Sequence, residues 1–428
     1  MKRVSVFVLL MFSILLVPSS ALAQTTATAN PLGVVVDSLQ TSAGSYPVGA
    51  KITVTAKVHA SGSAVLPWVA AAVRDSKGGS VDTPLQQNVS VGTTAKTLTF
   101  STAISTPGTY TVWLAYYSGS TWSDLSPVRT FSVYTSAIRA SGVYTGWPQS
   151  PTTLDGFGTW RGRTVGMAAD YLDMTSWANI EGPSWWTNTY KGTGYATKLL
   201  IGLPMLPTND TSTTLAAGAS GAYDAHFTQL AKNLVAAGLT NAIIRPGWEF
   251  NSPVNYRWSG VAQPTYFAGY FRHIVTAMRA VNPKFTFDLC FTVAVDGTKL
   301  DLSQAWPGDG YVDFIGMDLY DMTWGGGLTP AQRWNTFLTA PGGLNYLRSF
   351  AGAHGKQMSF DEWALASPSW GGGGDDPYFI QAMYDWMNAN PVAYETYNNV
   401  HYSFTNGKLD DGSYPLAAAK YKSLFGGG

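Results

Sequence analysis

Residues 243–251 read Ile-Ile-Arg-Pro-Gly-Trp-Glu-Phe-Asn, in which a short run ends in Pro-Gly and a glutamate follows one residue later. Residues 241–245 form a predicted strand, and similar short apolar runs recur from about residue 140 onward. Helical patterns separate them, as in parallel strands joined by crossover helices. The predicted strands are 142–145, 164–171, 198–203, 241–245, 286–291, 312–317, 357–360 and 400–404. This alternation predicts an α/β domain at 140–428 with a (β/α)8, or TIM, barrel fold.

The segments between these strands carry helical patterns with apolar residues on one face. Those faces consist of Tyr223, Phe227, Leu230 and Leu234 in one helix, Phe267, Phe271, Ile274, Met278 and Val281 in a second, and Phe379, Met383 and Trp386 in a third. Because active sites of such barrels lie at the carboxyl ends of the strands, the residues that follow each strand are the functional candidates.

The region 32–134 has a different pattern, since it is rich in Thr, Ser, Val and Gly and contains no Glu. Short alternating runs separated by turn signals predict an all-β sandwich that resembles immunoglobulin-like or fibronectin-type modules. In the strand that follows Pro107-Gly108 we expect one inward face, formed by Tyr110, Val112, Leu114 and Tyr116. Trp113 and Tyr117 lie on the other face, which either stacks on sugar or packs on the next domain.

Residues 1–23 are organised like a secretory signal peptide, with Lys2 and Arg3, an apolar run at 4–17 and Ala21-Leu-Ala23. We expect cleavage near Ala23, a polar lead-in at 24–31 and a secreted, extracellular protein. No other apolar stretch reaches the roughly 18 residues of a membrane span. The sequence therefore predicts no membrane span in the mature protein.

Composition narrows the classes of partner. Lys and Arg number 26, as do Asp and Glu, so no basic excess is available to neutralise phosphates and no nucleic-acid partner is expected. Cys290 is the single cysteine, which excludes an intramolecular disulfide and a cysteine-based zinc site. The histidines show no metal-ligand spacing. We expect no metal, no cofactor and a monomer.

Glutamate is scarce: the chain has Glu181, Glu249, Glu362 and Glu395. Glu249 follows the fourth predicted strand and Glu362 follows the seventh, and the ends of those strands face each other across the mouth of a barrel. Two carboxyl groups at one mouth are what glycoside hydrolysis requires. The alternative is that each is an ordinary solvated strand-end residue. Glu181 is a candidate substrate contact, and Glu395 is expected to precede the eighth strand and be solvated.

The ordered motifs resemble the large clan of retaining (β/α)8 glycoside hydrolases, and most closely glycoside hydrolase family 26, which contains β-mannanases with some β-glucanases and xylanases. Arg245-Pro-Gly-Trp-Glu-Phe-Asn251 is similar to that family's Arg-Pro-x-His-Glu stretch, and Tyr256-Arg-Trp-Ser-Gly260 to the tryptophan-rich run after it. Residues 312–321 resemble its sixth strand, which ends in a tyrosine beside the nucleophile. Trp248 departs from the family's histidine at that position and from the wider clan's asparagine.

The resemblance implies roles for individual residues. Glu362 is the expected nucleophile and Glu249 the acid/base, while Tyr320 hydrogen-bonds Glu362 and Arg245 keeps it charged. The alternatives are a structural ion pair for Arg245 and barrel packing for Tyr320. The short polar side chains near strand ends, Asn251, Asp170 and Asp318, either bind sugar hydroxyls or make structural hydrogen bonds. Asp361 beside Glu362 is unusual, but successive strand side chains point to opposite sides, which should weaken their coupling.

Tryptophans are frequent after the predicted strands, and flat aromatic rings cover the apolar faces of sugars. As a set they predict an aromatic-lined cleft, although core packing is an equal alternative for any one. We expect Trp147, Trp248, Trp258, Trp324 and Trp363 to bind substrate, with Trp160, Trp177, Trp185, Trp186 and Trp370 as further candidates. The run Gly371-Gly-Gly-Gly374 predicts a flexible loop after strand seven.

The sequence thus predicts a secreted, retaining endo-β-glycosidase that acts on a polysaccharide or oligosaccharide, with β-mannan or β-glucan the expected polymer. The alternatives are a xylanase or exopolysaccharide-degrading glycosidase of the same clan, an exo-acting pocket, or a non-catalytic polysaccharide-binding cell-surface protein.

Overall fold

The computed structural model describes residues 32–42, 45–134, 140–252, 256–293, 301–402 and 406–427. The predicted signal peptide at 1–23 and the lead-in at 24–31 lie outside these residues. The described chain forms two compact units. One holds the residues up to Gln40 with Thr53–Thr102 and Tyr110–Arg129, and the other holds Thr41–Ile52, Ala103–Thr109 and the residues from Thr130 onward.

Strands and helices occur in the order that the sequence patterns predict: the described residues before 140 form strands, and those after it form both strands and helices. The strands are β1 (Val34–Thr41), β2 (Ser45–Pro47), β3 (Lys51–Ala60), β4 (Ala64–Asp75), β5 (Gln86–Val91), β6 (Lys96–Ala103), β7 (Gly108–Tyr117), β8 (Trp122–Asp124), β9 (Arg129–Tyr134), β10 (Ala140–Tyr144), β11 (Met167–Tyr171), β12 (Leu199–Leu203), β13 (Ile243–Pro246), β14 (Thr286–Thr292), β15 (Phe314–Tyr320), β16 (Gln357–Ala364) and β17 (Val392–Asn398). The α-helices are α1 (Pro151–Arg161), α2 (Trp177–Ile180), α3 (Ser184–Tyr190), α4 (Leu215–Ala219), α5 (Asp224–Ala236), α6 (Pro264–Val281), α7 (Pro330–Thr339), α8 (Leu344–Ala353), α9 (Pro377–Ala389) and α10 (Pro415–Phe425).

In the described residues, strands β10 to β17 pair in parallel in sequence order and close into a barrel, because β10 also pairs with β17. The predicted (β/α)8 barrel is therefore confirmed. Strand β12 is buried along its whole length, as expected of a parallel strand with helices outside and side chains filling the inside. The predicted apolar face of α6 is likewise confirmed, since Phe267, Ile274 and Met278 are fully buried.

Two predicted strand positions are wrong. The eighth barrel strand is β17 (Val392–Asn398), and of the predicted strand at 400–404 the described residues 400–402 lie outside it. The sequence of β17 shows why: it reads Val-Ala-Tyr-Glu-Thr-Tyr-Asn, so buried polar residues interrupt the continuous apolar run that marks a parallel strand covered on both faces. The seventh strand extends to Ala364, so Glu362 lies within β16 rather than after it.

Glu395 and Trp363 consequently have other environments than expected. Glu395 lies on β17 and is fully buried, not solvated, and the indole Nε1 of Trp363 donates to its Oε2 at 2.6 Å. Burial raises the pKa of Glu395 to about 7. Trp363 packs among Tyr397, Tyr421 and Phe425, with ring centroids 4.9–6.0 Å away. Trp363 is thus a core residue and does not line a cleft.

The β-rich part contains a sheet in the order β1-β3-β6 and a second group in which β4 pairs with β5 and β7, and β7 with β8. The inward face predicted for β7 is confirmed, because Tyr110, Val112, Leu114 and Tyr116 are buried. Its other face places Tyr117 against Trp122, with ring centroids 5.5 Å apart. None of the helices in the described ranges has the length and apolar character needed to cross a membrane.

Replacing Trp363 with alanine should lower the free energy of unfolding by about 3–5 kcal/mol, because it opens a large cavity and leaves a buried carboxyl oxygen without its donor. Urea unfolding followed by circular dichroism measures this change. Trp185→Ala is the control, since that side chain is 52% exposed and its loss should cost less than about 0.5 kcal/mol. Equal stability of the two variants would contradict the core assignment of Trp363.

Candidate active site

The carboxyl ends of five barrel strands bring together one group of polar side chains. Arg245 comes from β13, Glu362 from β16, and Tyr171, Tyr320 and Asn398 are the last residues of β11, β15 and β17. Parallel strands that end at one rim place these residues around a common mouth, which is the position of the active site in this fold.

Glu362 accepts hydrogen bonds on both carboxylate oxygens. Arg245 Nη1 donates to Oε1 at 2.8 Å, Tyr320 Oη donates to Oε2 at 2.5 Å, and Asn398 Nδ2 lies 3.3 Å from Oε2. The side chain is 12% exposed. Burial by itself raises the pKa of Glu362, but the charge of Arg245 and hydrogen bonds with Tyr171, Tyr320 and Arg245 outweigh it, so the pKa lies below its usual value. Glu362 is therefore held ionised.

The guanidinium of Arg245 is almost completely buried and contacts more than one carboxylate. Its Nη2 is paired with Asp318, and its Nε lies 3.2 Å from Asp361 Oδ2. A charge out of water must be paired with opposite charge, and these carboxylates supply it. Arg245 thus forms the structural ion pair and also contacts Glu362, so the two alternatives for this side chain occur together.

Asp361 and Glu362 both reach Arg245, although they are successive residues of a strand. A β-bulge between β15 and β16 explains this: Gly316 pairs with Ser359, but Asp318 pairs with Glu362. The extra residue disrupts the alternation of side chains, so both carboxylates point inward. The expectation that they point to opposite sides is therefore wrong at this place.

Glu249 lies in the turn after β13 and has the opposite electrostatic environment. Burial raises its pKa to about 7, and the negative charge of Glu362 acts in the same direction. Arg245 and hydrogen bonds with Thr292 and Tyr256 lower it by less. At neutral pH a large share of Glu249 therefore keeps its proton while Glu362 is ionised, which is the separation that distinguishes an acid from a nucleophile.

The turn that presents Glu249 is conformationally demanding. Gly247 and Glu249 both have positive φ, +61° and +50°. A side chain at Gly247 would overlap Met205 Sδ, whereas Glu249 adopts a conformation that costs a non-glycine residue on the order of 1 kcal/mol. The backbone N–H of Ser252 donates to the Glu249 carbonyl at 2.8 Å and closes the turn. Strain of this kind concentrates at functional sites.

The other polar candidates are engaged in structural bonds. Asn251 is buried and makes two 2.8 Å hydrogen bonds with the backbone of Thr292, which tie the Glu249 turn to β14. Asp170 is buried and accepts hydrogen bonds from Tyr190 Oη and the backbone of Tyr171. Asp318 is fully buried against Arg245. Each therefore takes the structural alternative that the sequence left open.

The predicted aromatic cleft divides into buried and exposed residues. Trp248 is buried edge-on against Tyr171, and Trp258 is buried with its Nε1 donating to the Trp248 carbonyl at 2.9 Å. Both support the turn rather than line an open surface. Trp147 and Trp324 are exposed, at 73% and 58%. Glu181, another candidate substrate contact, lies at the end of α2, with its Oε1 2.7 Å from His226 Nδ1.

The sequence reasoning missed Asn398 and Tyr171. Asn398 donates to both Tyr320 and Glu362, and Tyr171 Oη lies 3.4 Å from Arg245 Nη1. A signal existed for Tyr171, since it ends a correctly predicted strand. Nothing in the sequence marks Asn398 as a site residue, because the predicted eighth strand is at 400–404. Among the described residues, no three His, Cys, Asp or Glu side chains are grouped as metal ligands.

The fold and site define a closed-barrel protein with two electrostatically distinct glutamates at its mouth. No protein-family model matches the chain, and no curated protein does. Solved structures similar to this chain include the catalytic domain of the Bacillus sp. JAMB-750 GH26 endo-β-1,4-mannanase. It is 17% identical over 67% of this chain and 85% of that one, with a TM-score of 0.46. A Cellulomonas fimi endo-β-1,4-mannanase double mutant is 19% identical over 66% and 70%, with a TM-score of 0.47.

A Bacteroides uniformis β-glucuronidase 2 is 10% identical over 91% of this chain, with a TM-score of 0.41, and this chain spans 50% of its length.

The opposite environments of the two glutamates predict opposite effects on stability. Glu249 has a pKa of about 7 in the folded protein against 4.5 in the unfolded chain, so it destabilises the fold progressively as pH rises from 4.5 to 7. Glu249→Gln should be more stable than the wild type above pH 7 by on the order of 2 kcal/mol, and equal to it below pH 4.5. This is less than the full effect of the pKa shift, because Glu249 is only half-buried.

Glu362→Gln is the matched control with the opposite sign. The lowered pKa of Glu362 stabilises the fold above the ordinary value of 4.5, and this stabilisation is lost as pH falls through the lowered value. The variant should therefore be less stable than the wild type at neutral pH, with the deficit shrinking in acid. Urea unfolding at pH 4 and pH 8 tests both variants; changes of the same sign would contradict the assignment.

Proposed function

We propose that this protein is a retaining glycoside hydrolase that cleaves a β-linked polysaccharide, with Glu362 as nucleophile and Glu249 as acid/base. The observation that carries the proposal is one mouth with two glutamates whose pKa values are driven apart, below 4.5 for Glu362 and to about 7 for Glu249. A non-catalytic binding protein has no need of that separation, which makes this alternative the weaker one.

In the first step a carboxylate oxygen of Glu362 bonds to the anomeric carbon as the bond to the glycosidic oxygen breaks. The proton of Glu249 passes to that oxygen, so the leaving chain departs as a neutral alcohol. In the second step Glu249, now ionised, takes a proton from water while the water oxygen attacks the anomeric carbon and displaces Glu362. Both glutamates return to their starting states, and no cofactor is needed.

Neighbouring side chains keep Glu362 in its attacking form. Arg245 is held from behind by Asp318, so its Nη1 points at Glu362 without being free to turn away. Tyr320 and Asn398 hold the other carboxylate oxygen, and Asn398 also donates to Tyr320. Such a network fixes the rotamer of the nucleophile, and fixed geometry accounts for much of the rate in an enzyme.

The expected polymer is a β-mannan or β-glucan, supported by the motifs shared with glycoside hydrolase family 26. Trp248 favours a second candidate, a xylan or an exopolysaccharide. Its indole is buried against Tyr171 and Trp258 and takes the place of a residue that in the clan contacts the sugar at the cleavage point. A side chain that hydrogen-bonds a sugar hydroxyl discriminates strongly between sugars. Replacing that side chain with Trp248 therefore changes which sugar the site accepts.

The proposal extends to the rest of the chain. Residues 1–23 act as a signal peptide, the mature protein is secreted as a monomer, residues 32–134 are an immunoglobulin- or fibronectin-like accessory sandwich and residues 140–428 are the catalytic domain. Two groups of paired β-strands within residues 32–134 support the sandwich.

Purified mature protein should release reducing ends from at least one of β-mannan, mixed-linkage glucan, cellulose and xylan. Glu362→Gln and Glu249→Gln should fold and lose activity by on the order of 10²- to 10⁴-fold, because each removes a group that acts in the transition state. Near-normal turnover by either variant would reject the roles. Binding without release of reducing ends by the wild type would favour the binding-protein alternative.

An aryl glycoside of the preferred sugar separates the two roles. A phenol of low pKa leaves without protonation, so Glu249→Ala should retain much of its kcat/KM on this substrate, which reports the first step, while Glu362→Ala should not. With polysaccharide, wild-type activity should fall as pH rises through about 7, where Glu249 loses its proton. For Glu249→Ala on the aryl glycoside that alkaline decline should vanish, and its persistence would assign the decline to another group.

A further inference from the structure

The loops that follow β15 and β16 each carry a strongly exposed tryptophan. Trp324 is 58% and Trp370 45% exposed, and their rings meet edge to face with centroids 6.4 Å apart at 89°. An indole in water is costly, so such a pair indicates a surface that is covered in the working protein. In an edge-to-face contact the ring that contributes its edge keeps both of its faces free of that contact.

The two loops are joined to each other by backbone contacts. Met322 and Gly372 form an isolated β-bridge, and the N–H of Thr323 donates to the Gly371 carbonyl at 3.3 Å. Gly371 has φ +77°, and a methyl group there would lie 2.9 Å from the Gly325 nitrogen. The glycine run is therefore required by close packing against the neighbouring loop.

A buried arginine beneath the loops fixes them to the barrel. Arg333 on α7 donates through Nε to Asp321 Oδ1 at 2.9 Å and pairs through Nη2 with Asp376, the N-cap residue of α9. Its Nη1 also donates to the Leu328 carbonyl at 2.9 Å. A side chain at Gly373 would overlap both Asp321 and Arg333. The tryptophan pair thus stands on a rigid base of charge-assisted hydrogen bonds.

Trp324 is itself held in a strained conformation, with φ +59°. A bulky non-glycine residue in this region costs on the order of 1 kcal/mol, and an exposed loop would relax unless its contacts prevented it. The surrounding hydrogen bonds therefore fix the direction in which this indole points.

We infer that Trp324 and Trp370 form a stacking subsite for a pyranose ring of the polysaccharide, one or more sugars away from the bond that is cleaved. The occupant follows from continuity with the site: Asp321 directly follows Tyr320, which holds Glu362, and the second loop leaves from the strand that carries Glu362. A sugar ring presents an apolar C–H face to an indole, and a substrate that reaches both places must contain several linked sugars. The inference rests on the proposed function and makes the enzyme chain-length dependent.

Trp324→Ala and Trp370→Ala should each raise KM for the polysaccharide about tenfold, the loss of one stacked aromatic contact. The ratio of kcat/KM on polysaccharide to kcat/KM on the aryl monoglycoside should fall by a similar factor. Trp370→Phe keeps a ring and should recover part of the loss. Tyr266→Ala removes an exposed aromatic side chain from helix α6 and should leave the ratio unchanged. An unchanged ratio in both tryptophan variants, or equal losses on both substrates, would overturn the subsite.

Binding separates failure of the subsite from failure of the proposed function. Affinity electrophoresis uses gels that contain β-mannan, mixed-linkage glucan or xylan. All proteins compared carry Glu362→Gln, so that none of them hydrolyses the polysaccharide during the run. Weaker retardation on adding Trp324→Ala supports the subsite even where the wild type hydrolyses nothing, in which case the hydrolase proposal alone fails. Normal hydrolysis with retardation that neither tryptophan variant changes leaves the hydrolase standing and rejects the subsite.

Discussion

A single buried positive charge organises the mouth of this barrel. Arg245 is 1% exposed, and a guanidinium removed from water is tolerated only where carboxylates surround it. Asp318 and Asp361 hold it from inside the barrel, and Glu362 meets it from the mouth. The same positive charge, once paired by the two aspartates, keeps Glu362 ionised at the solvent-facing mouth.

The same constraint explains the difference between the two glutamates. Glu362 receives the guanidinium directly, so the cost of its burial is outweighed. Glu249 lies close enough to sense the negative charge of Glu362, and burial dominates its titration. Two residues of the same type thus acquire opposite protonation states from their surroundings alone. The β-bulge in β16 is part of this arrangement, because without it Glu362 and Asp361 would not share one partner.

Rigidity is built into the rim by residues that look flexible in the sequence. The glycines at 371 and 373 lie where neighbouring backbone or charged side chains leave no room for a side chain. Arg333 then ties the loop after β15 to the start of α9 through two aspartates. Exposed indoles on such a base are positioned before any ligand arrives, which lowers the entropy lost on binding.

The sequence by itself determined the class of fold and most barrel strands, because apolar periodicity is a local signal. It also singled out Glu249 and Glu362, because glutamates are scarce and these two lie near the ends of predicted strands. It could not place β17, since buried polar residues interrupt the continuous apolar run that identifies the other barrel strands. Without that strand, the sequence predicts a solvated Glu395 and a sugar-binding Trp363, and nothing in it marks Asn398 as a site residue. Only the tertiary structure decided which tryptophans are exposed and which carboxylates share Arg245, because both depend on contacts between residues far apart in the chain.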